Sequence, residues 1–155
     1  GAGKSTLLRL LVEHVRLPRQ DILALPQELS APAALSLLGE LRELDPQARG
    51  RVLTIVASLG VDPDRLLVSG QPSPGEARKL LLAMGFARHA RALVLDEPEN
   101  HLDVPSIERV EAALSEYPGA LYLVTHDALL AQRCTNQRWN LAPDDFRVGD
   151  VEDRS

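Results

Sequence analysis

The sequence has few aromatic residues and almost no cysteine. Aromatic side chains make up 3% of the 155 residues, so the core must be built from Leu, Val, Ile and Ala. The single cysteine, Cys134, excludes an internal disulfide and weakly favours a reducing compartment. No apolar run approaches the ~20 residues that a membrane-spanning helix needs, and no signal peptide with a basic start is visible.

An excess of positive charge is also absent. The formal net charge is -5 and the Arg and Lys residues are scattered, so we expect no direct nucleic-acid binding by this segment. A hydrophobic content of 45% with 25% charged residues is typical of a soluble globular protein and excludes a disordered chain. We therefore expect one domain in the cytoplasm.

The spacing of apolar residues predicts an α/β fold. Two wholly apolar segments, 92–95 and 120–124, are typical of parallel strands buried on both faces. A weak strand around Trp139 and Leu141 is expected to lead into a loosely held end. The remaining predictions are a strand at 22–25 and helices at about 5–15, 30–44, 45–60, 74–87 and 104–117.

A glycine-rich string leads directly into the first predicted helix. Gly1-Ala2-Gly3-Lys4-Ser5-Thr6 matches the end of a phosphate-binding loop, G-x-x-x-x-G-K-[ST], whose first glycine would precede Gly1, so we expect an N-terminally truncated fragment. Glycines let backbone N–H groups surround an anion, and the helix N-terminus adds positive potential. Lys4 would reach the β- and γ-phosphates, and the Ser5 hydroxyl would bind Mg²⁺. The alternative is a glycine-rich turn capped by serine.

Two carboxylates follow the apolar strand at 92–95. Since parallel strands deliver their carboxyl ends to the ligand-binding edge of an α/β sheet, both acids can meet a metal bound to phosphates. Asp96 would hold Mg²⁺ through water, and Glu97 would activate the attacking water as a general base. The alternative is a pair of solvated acids.

A histidine follows the last core strand in the same way. His126 comes directly after Thr125 at the end of segment 120–124, which would open on the same edge as Glu97. A polar contact with the γ-phosphate is therefore favoured over a merely structural or solvated histidine.

Together these motifs resemble those of the ATP-binding cassette (ABC) ATPases. In this family a Leu-Ser-Gly-Gly-Gln signature precedes the Walker B aspartate, and Ser73 lies 23 residues before Asp96, as the family spacing requires. We therefore take Pro72-Ser73-Pro74-Gly75-Glu76 as a variant signature. The string Leu67-Val68-Ser69-Gly70-Gln71 also resembles the signature, but we take this similarity as coincidental. Ser73-x-x-Glu76 is also a capping box, with Pro74 at the first helical position.

The resemblance implies roles for further residues. Gln27 would be the Q-loop glutamine that senses the metal and the attacking water, segment 99–103 the D-loop and His126 the switch histidine. Ser73, Gly75 and Glu76 would complete the ATP site of a facing cassette, on the same polypeptide or in a homodimer. The resemblance thus implies ATP and Mg²⁺ as cofactors and an ATPase that is inactive as the isolated fragment.

The resemblance also implies the fold of a P-loop NTPase, an α/β fold in which a mostly parallel sheet is flanked by helices and a small helical subdomain is inserted. We place the core at 1–29 and 67–141, the helical subdomain at 30–66 with the signature helix 73–87, and the loosely held tail at 142–155.

The string Asp96-Glu97-Pro98-Glu99-Asn100-His101-Leu102-Asp103 is similar to the D-E-P-T-N-H-L-D of class F, soluble twin-cassette ATPases that act on ribosomes. Ribosome contact would lie outside this segment. One alternative is the motor subunit of a transporter, partnered by transmembrane domains, and another is a nucleotide-dependent switch without useful turnover. Glu99 replaces the usual Thr: we favour a solvated surface group over a carboxylate that raises the proton affinity of Glu97.

Overall fold

A computed structural model describes residues 3–142 and 145–150 of the chain. The strands in this part are β1 (Ile22–Leu25), β2 (Ala92–Asp96), β3 (Ala120–Val124), β4 (Gln137–Ala142) and β5 (Asp145–Asp150). The helices are α1 (Lys4–His14), α2 (Ala31–Glu43), α3 (Pro46–Ser58), α4 (Pro63–Val68), α5 (Pro74–Ala87), α6 (Val104–Ser115) and α7 (Ala128–Cys134), with a 3-10 turn at Arg19–Asp21.

The first three strands form a parallel sheet in the order β1-β2-β3. The middle strand β2 is buried along its whole length, as its continuous apolar sequence predicts. In register, Leu25 pairs with Leu95, and Asp96 pairs with Val124. The carboxyl ends of all three strands therefore meet at one edge of the sheet.

The apolar core joins this sheet to the helical segment. Leu41 of α2, Val56 of α3, Leu80 and Leu82 of α5, and Leu93 of β2 are completely buried and belong to one cluster. Full burial of a Leu side chain contributes roughly 1.5–3 kcal/mol, so the helices and the sheet stabilise one another. Helix α5 packs against α2, α3 and β1 and lies at the centre of this cluster.

Two short helices, α4 and α7, were not among the sequence predictions. Asp62 caps α4 and Asp127 caps α7 through their side chains. In both cases the capping Asp was the sequence signal available, but a run of only six or seven helical residues shows little periodicity. Helix α4 also spans the predicted boundary between residues 66 and 67.

The structure has a strand at 145–150, within the segment predicted as a loosely held tail. Strands β4 and β5 pair antiparallel, with Trp139 opposite Val148 and Leu141 opposite Phe146. The alternation of Phe146 and Val148 with polar residues was a strand signal, outweighed in our prediction by the neighbouring Pro and Asp residues. Residues 151–155 of the predicted tail lie outside the described part.

No helix among the described residues is long and apolar enough to cross a membrane.

Candidate active site

Side chains from the ends of all three parallel strands meet at Glu97. Gln27, two residues after β1, donates from Nε2 to Glu97 Oε2 at 2.9 Å. His126, after β3, places Nε2 3.1 Å from Glu97 Oε1. The Glu97 N–H donates to the Val124 carbonyl at 2.8 Å, which extends the pairing of β2 and β3 by one residue. The structure therefore brings together the three residues predicted to act in catalysis, whose roles remain predictions.

Asn100 also contacts this carboxylate, which sequence reasoning missed. Its Nδ2 donates to Glu97 Oε2 at 2.7 Å. The turn after β2 makes this possible, because Glu97 has a φ of 48° and the Asn100 N–H donates back to the Glu97 carbonyl. The only sequence signal was the position of Asn100 in the string similar to class F.

These contacts set the protonation state of Glu97. The hydrogen bond from Asn100 is the largest influence that lowers the pKa of this carboxyl, followed by the hydrogen bond from Gln27 and by His126. Burial acts in the opposite direction but is outweighed. Each hydrogen bond favours the charged form, so Glu97 is a carboxylate at neutral pH and able to accept a proton.

Glu99 is not a freely solvated acid, because its carboxylate has specific partners. Its Oε1 accepts a hydrogen bond from Thr125 Oγ1 at 2.5 Å and one from the His126 N–H at 3.1 Å. Its Oε2 is buried. These contacts show that the interpretation of Glu99 as a solvated surface group is wrong, and they hold the segment that carries His126.

An arginine of α5 lies beneath this cluster. The Arg78 side chain is 1% exposed and donates hydrogen bonds to the backbone on both sides of the Gln27–Glu97 contact. Burial lowers its pKa, while the carboxylates of Glu99, Asp96 and Glu97 act in the opposite direction. A guanidinium remains protonated in a protein, so the site rests on a buried positive charge.

The start of α1 differs from the start of every other α-helix in the described residues. Its N-cap, Gly3, has a φ of 74° and provides no side-chain hydrogen bond, while Ser5 and Thr6 are exposed and Lys4 is partly exposed. By contrast, a Ser or Asp oxygen accepts a first-turn N–H in all the others, at Ser30, Asp45, Asp62, Ser73, Asp103 and Asp127. The first-turn amides of α1 are thus left without a side-chain acceptor, which suits phosphate. The predicted loop residues Gly1 and Ala2 lie outside the described part.

The three predicted metal-binding residues line one open cavity. Ser5, Gln27 and Asp96 share a space of about 620 Å³ with apolar walls that include Leu8 and Val94. Hydroxyl, amide and carboxylate oxygens suit Mg²⁺, which is commonly held by one or two carboxylates together with phosphates. Within residues 3–142 and 145–150 no group of three or more His, Cys, Asp and Glu side chains is placed to hold a metal ion.

The variant signature forms the N-terminus of α5. The Ser73 Oγ accepts from the Glu76 N–H at 3.3 Å, and Glu76 Oε2 accepts from the Ser73 N–H at 2.8 Å, so the predicted capping box is confirmed. The Ser73 N–H also lowers the pKa of Glu76. A Cβ on Gly75 would lie 2.8 Å from the His101 carbonyl oxygen, which explains why this position holds glycine.

The string 67–71 instead closes α4. Arg42 Nη2 donates to the carbonyls of Leu67 and Ser69, at 2.7 and 2.8 Å, and the Ser69 hydroxyl donates to the Gln71 carbonyl. Ser69 is the C-cap of α4 and does not start a helix. This local role supports residues 72–76 as the signature.

A family model described as "ABC transporter" matches residues 1–100. The chain belongs to this family. The match covers the phosphate loop, the variant signature and the segment from Asp96 to Asn100, so the predicted resemblance is confirmed. The P-loop NTPase fold is confirmed as well, because the chain superposes on the dimeric, post-hydrolysis ATP-binding cassette MJ0796 bound to ADP and Pi. That superposition has a TM-score of 0.69 at 18% identity and covers 97% of this chain and 82% of that one.

Curated relatives extend this similarity. The tylosin resistance ATP-binding protein TlrC of Streptomyces fradiae is 36% identical over 91% of the chain. The ribosome protection protein VmlR of Bacillus subtilis is 32% identical over 89%, and ABC transporter F family member 2 of Arabidopsis thaliana is 27% identical over 88%. The chain spans only 27%, 27% and 22% of these proteins, respectively.

Proposed function

We propose that this segment binds ATP and takes part in its Mg²⁺-dependent hydrolysis, as half of a pair of cassettes. The observation that carries the proposal is the Glu97 carboxylate, held by Gln27, Asn100 and His126 at the sheet edge, where Asp96 and Ser5 line one cavity. A carboxylate with a lowered pKa, next to a phosphate-binding helix start, fits a general base for water attack on a phosphoanhydride.

The proposed mechanism divides the tasks of binding and catalysis among these residues. Lys4 and the first-turn amides of α1 bind the phosphates, and Glu97 takes the proton of the attacking water. Gln27 orients that water, since its amide already lies 2.9 Å from the Glu97 carboxylate. His126 contacts the γ-phosphate from the end of β3. Bound Mg²⁺, held by Ser5, Asp96 and Gln27, would neutralise charge that develops on the phosphate oxygens.

The pairing of two cassettes is proposed from the position of the signature. The side-chain hydrogen bonds of Ser73 and Glu76 in the described chain are to each other, not to Lys4 or Glu97. The Ser73 hydroxyl still has a proton to donate, so it can bind a phosphate while it caps α5. The superposed cassette is a dimer, which supports the proposal that this phosphate belongs to ATP bound by a facing cassette.

We further propose a class F protein of the cytoplasm that acts on the ribosome. The string from Asp96 to Asp103 supports this, as do the relatives named for ribosome protection and for the F family. A transporter motor subunit is the alternative, and a cassette that switches without turnover is a third. The full gene separates the first two, because class F predicts a second cassette and a charged helical linker on one polypeptide.

Hydrolysis is tested with Glu97→Gln in the full-length protein. Glutamine keeps the shape but cannot take a proton, so the ATPase rate should fall about 10²–10⁴-fold while ATP binding survives. Lys4→Ala is the matched variant: it should weaken ATP binding, measured by titration, because it removes a charge-assisted contact with phosphate. An unchanged rate in Glu97→Gln would show that another group activates water, and unchanged affinity in Lys4→Ala would contradict the phosphate site.

Pairing is tested with Ser73→Arg, measured as the distance between labels on the two cassettes with and without ATP. In a Glu97→Gln background, which should trap ATP between closed cassettes, Ser73→Arg should abolish closure through bulk at the interface. Ser30→Arg is the control, since Ser30 caps α2 through the same type of hydrogen bond. Full closure in the Ser73→Arg variant would leave Ser73 as an ordinary helix cap.

A further inference from the structure

The Arg78 side chain joins two backbone segments, one that carries Gln27 and one that carries Glu97. Its Nη1 donates to the carbonyls of Pro26 at 3.3 Å and Gln27 at 2.9 Å. Its Nη2 donates to the carbonyls of Asp96 at 3.2 Å and Glu97 at 2.6 Å. The first pair of carbonyls follows β1 and the second pair ends β2, so one guanidinium spans the exits of two neighbouring strands.

This contact needs the geometry of arginine. Arginine has five N–H donors in a rigid planar fork, and the two Nη atoms of Arg78 serve four carbonyls at once. A lysine ammonium has three donors on one atom and cannot reach both segments in the same way. The side chain is 1% exposed, so its charge is kept from water and is balanced by the carboxylates of Glu99, Asp96 and Glu97.

We propose that Arg78 is a positioning residue, which fixes the backbone of Gln27 relative to that of Glu97 and thereby sets the contact between their side chains. The inference rests on the proposed function, because its consequence is a rate of hydrolysis. Arg78 lies in α5, five residues after Ser73, so it also connects the signature to the Gln27–Glu97 pair within one rigid helix. A facing cassette that moves the start of α5 would therefore move the support of this pair.

Arg88, at the other end of α5, provides a matched control. Its Nη2 donates to the Ile22 carbonyl at 2.9 Å, so it too joins α5 to β1 through an arginine and a backbone oxygen. That contact is at the amino end of β1, away from Gln27 and Glu97. Loss of Arg88 removes a similar structural contact without touching the site.

The experiment compares Arg78→Lys, Arg78→Met and Arg88→Met in the full-length protein by thermal unfolding and steady-state ATP hydrolysis. Misplacement of reacting groups by a supporting residue costs about 10- to 100-fold. We expect kcat to fall in this range in Arg78→Met, less in Arg78→Lys, with the KM for ATP within about threefold of wild type. Arg88→Met should retain kcat. Arg78→Lys keeps the buried charge, so it tests the proposal even if Arg78→Met fails to fold.

A double-mutant cycle separates positioning from general support of the fold. If Arg78 acts through Gln27, Arg78→Lys should lower kcat much less in a Gln27→Ala background than in wild type. An equal loss in both backgrounds, a kcat for Arg78→Lys equal to wild type, or the same loss in Arg88→Met would overturn the proposal. Failure of the proposed function would be distinct, since the wild-type protein itself would then not hydrolyse ATP.

Discussion

The helices α1 and α5 both begin at a segment that is predicted to bind phosphate, yet they are built in opposite ways. In α1 only Leu8 is buried, and no side chain caps the first turn. In α5 seven residues are buried, and a reciprocal capping box closes the first turn. Helix α5 is therefore fixed by its own contacts, whereas α1 leaves its first-turn amides available for an external anion.

The two helix starts therefore differ in whether the protein itself supplies acceptors for the first-turn amides. The first-turn amides of α1 have no side-chain acceptor among the described residues, so a bound phosphate would supply acceptors that the protein itself does not provide there. The start of α5 is complete without a ligand, and its interior supports Gln27 and Glu97 through Arg78. We infer that nucleotide binding should stabilise α1 more than α5.

The largest effect is expected when a leucine of α5 and a leucine of α1 are each replaced by alanine and the free energy of unfolding is measured. Leu80 of α5 is completely buried, whereas Leu10 of α1 is 44% exposed. Leu80→Ala should lower the free energy of unfolding by about 2–5 kcal/mol through lost burial and a cavity. Leu10→Ala should change it by no more than about 0.5 kcal/mol, as at other surface positions. Denaturant titration of both variants is the measurement, and equal losses would show that α1 is as firmly packed as α5.

A smaller effect is expected at the two helix starts. Ser73→Ala removes the acceptor of the Glu76 N–H and should cost about 0.5–2 kcal/mol, the usual range for an N-cap. Ser5→Ala removes no capping hydrogen bond, so it should leave the stability of the nucleotide-free protein nearly unchanged. Thermal unfolding without nucleotide checks both variants. A comparable loss in Ser5→Ala would show that α1 has a cap of its own.

The sequence predicted the parts of the fold that depend on local pattern. Strands at 22–25 and 120–124 have the observed bounds, and the cap at Ser73 is where the spacing placed it. These features depend on residues within one turn or one strand. The sheet edge joins distant strands, but it could still be predicted, because parallel strands align their carboxyl ends.

What the sequence did not predict depends on contacts between distant segments. The local sequence of α5 does not mark Arg78, and only the fold shows that it reaches carbonyls 51 and 19 residues away in sequence. Glu99 was interpreted by its distance from Glu97 along the chain, but its partners are Thr125 and the His126 backbone. The periodicity of the sequence does not indicate the contacts of Arg78 or those of Glu99.

The smallest expected effect is a pH dependence of the start of α5. The hydrogen bond from the Ser73 N–H lowers the pKa of Glu76 below its ordinary value of 4.5 in the folded protein. A carboxyl with a depressed folded pKa contributes stability that is present above the unfolded pKa and is lost as pH falls through the folded one. Wild type should therefore lose this contribution on acidification below about pH 4.5, whereas Glu76→Gln, which does not titrate, should not. Free energies of unfolding measured for both proteins between pH 7 and pH 3 provide the test. If the difference between them does not narrow as pH falls, the Glu76 carboxylate does not stabilise the start of α5, and the contrast with α1 rests on the Ser73 hydroxyl and on apolar burial.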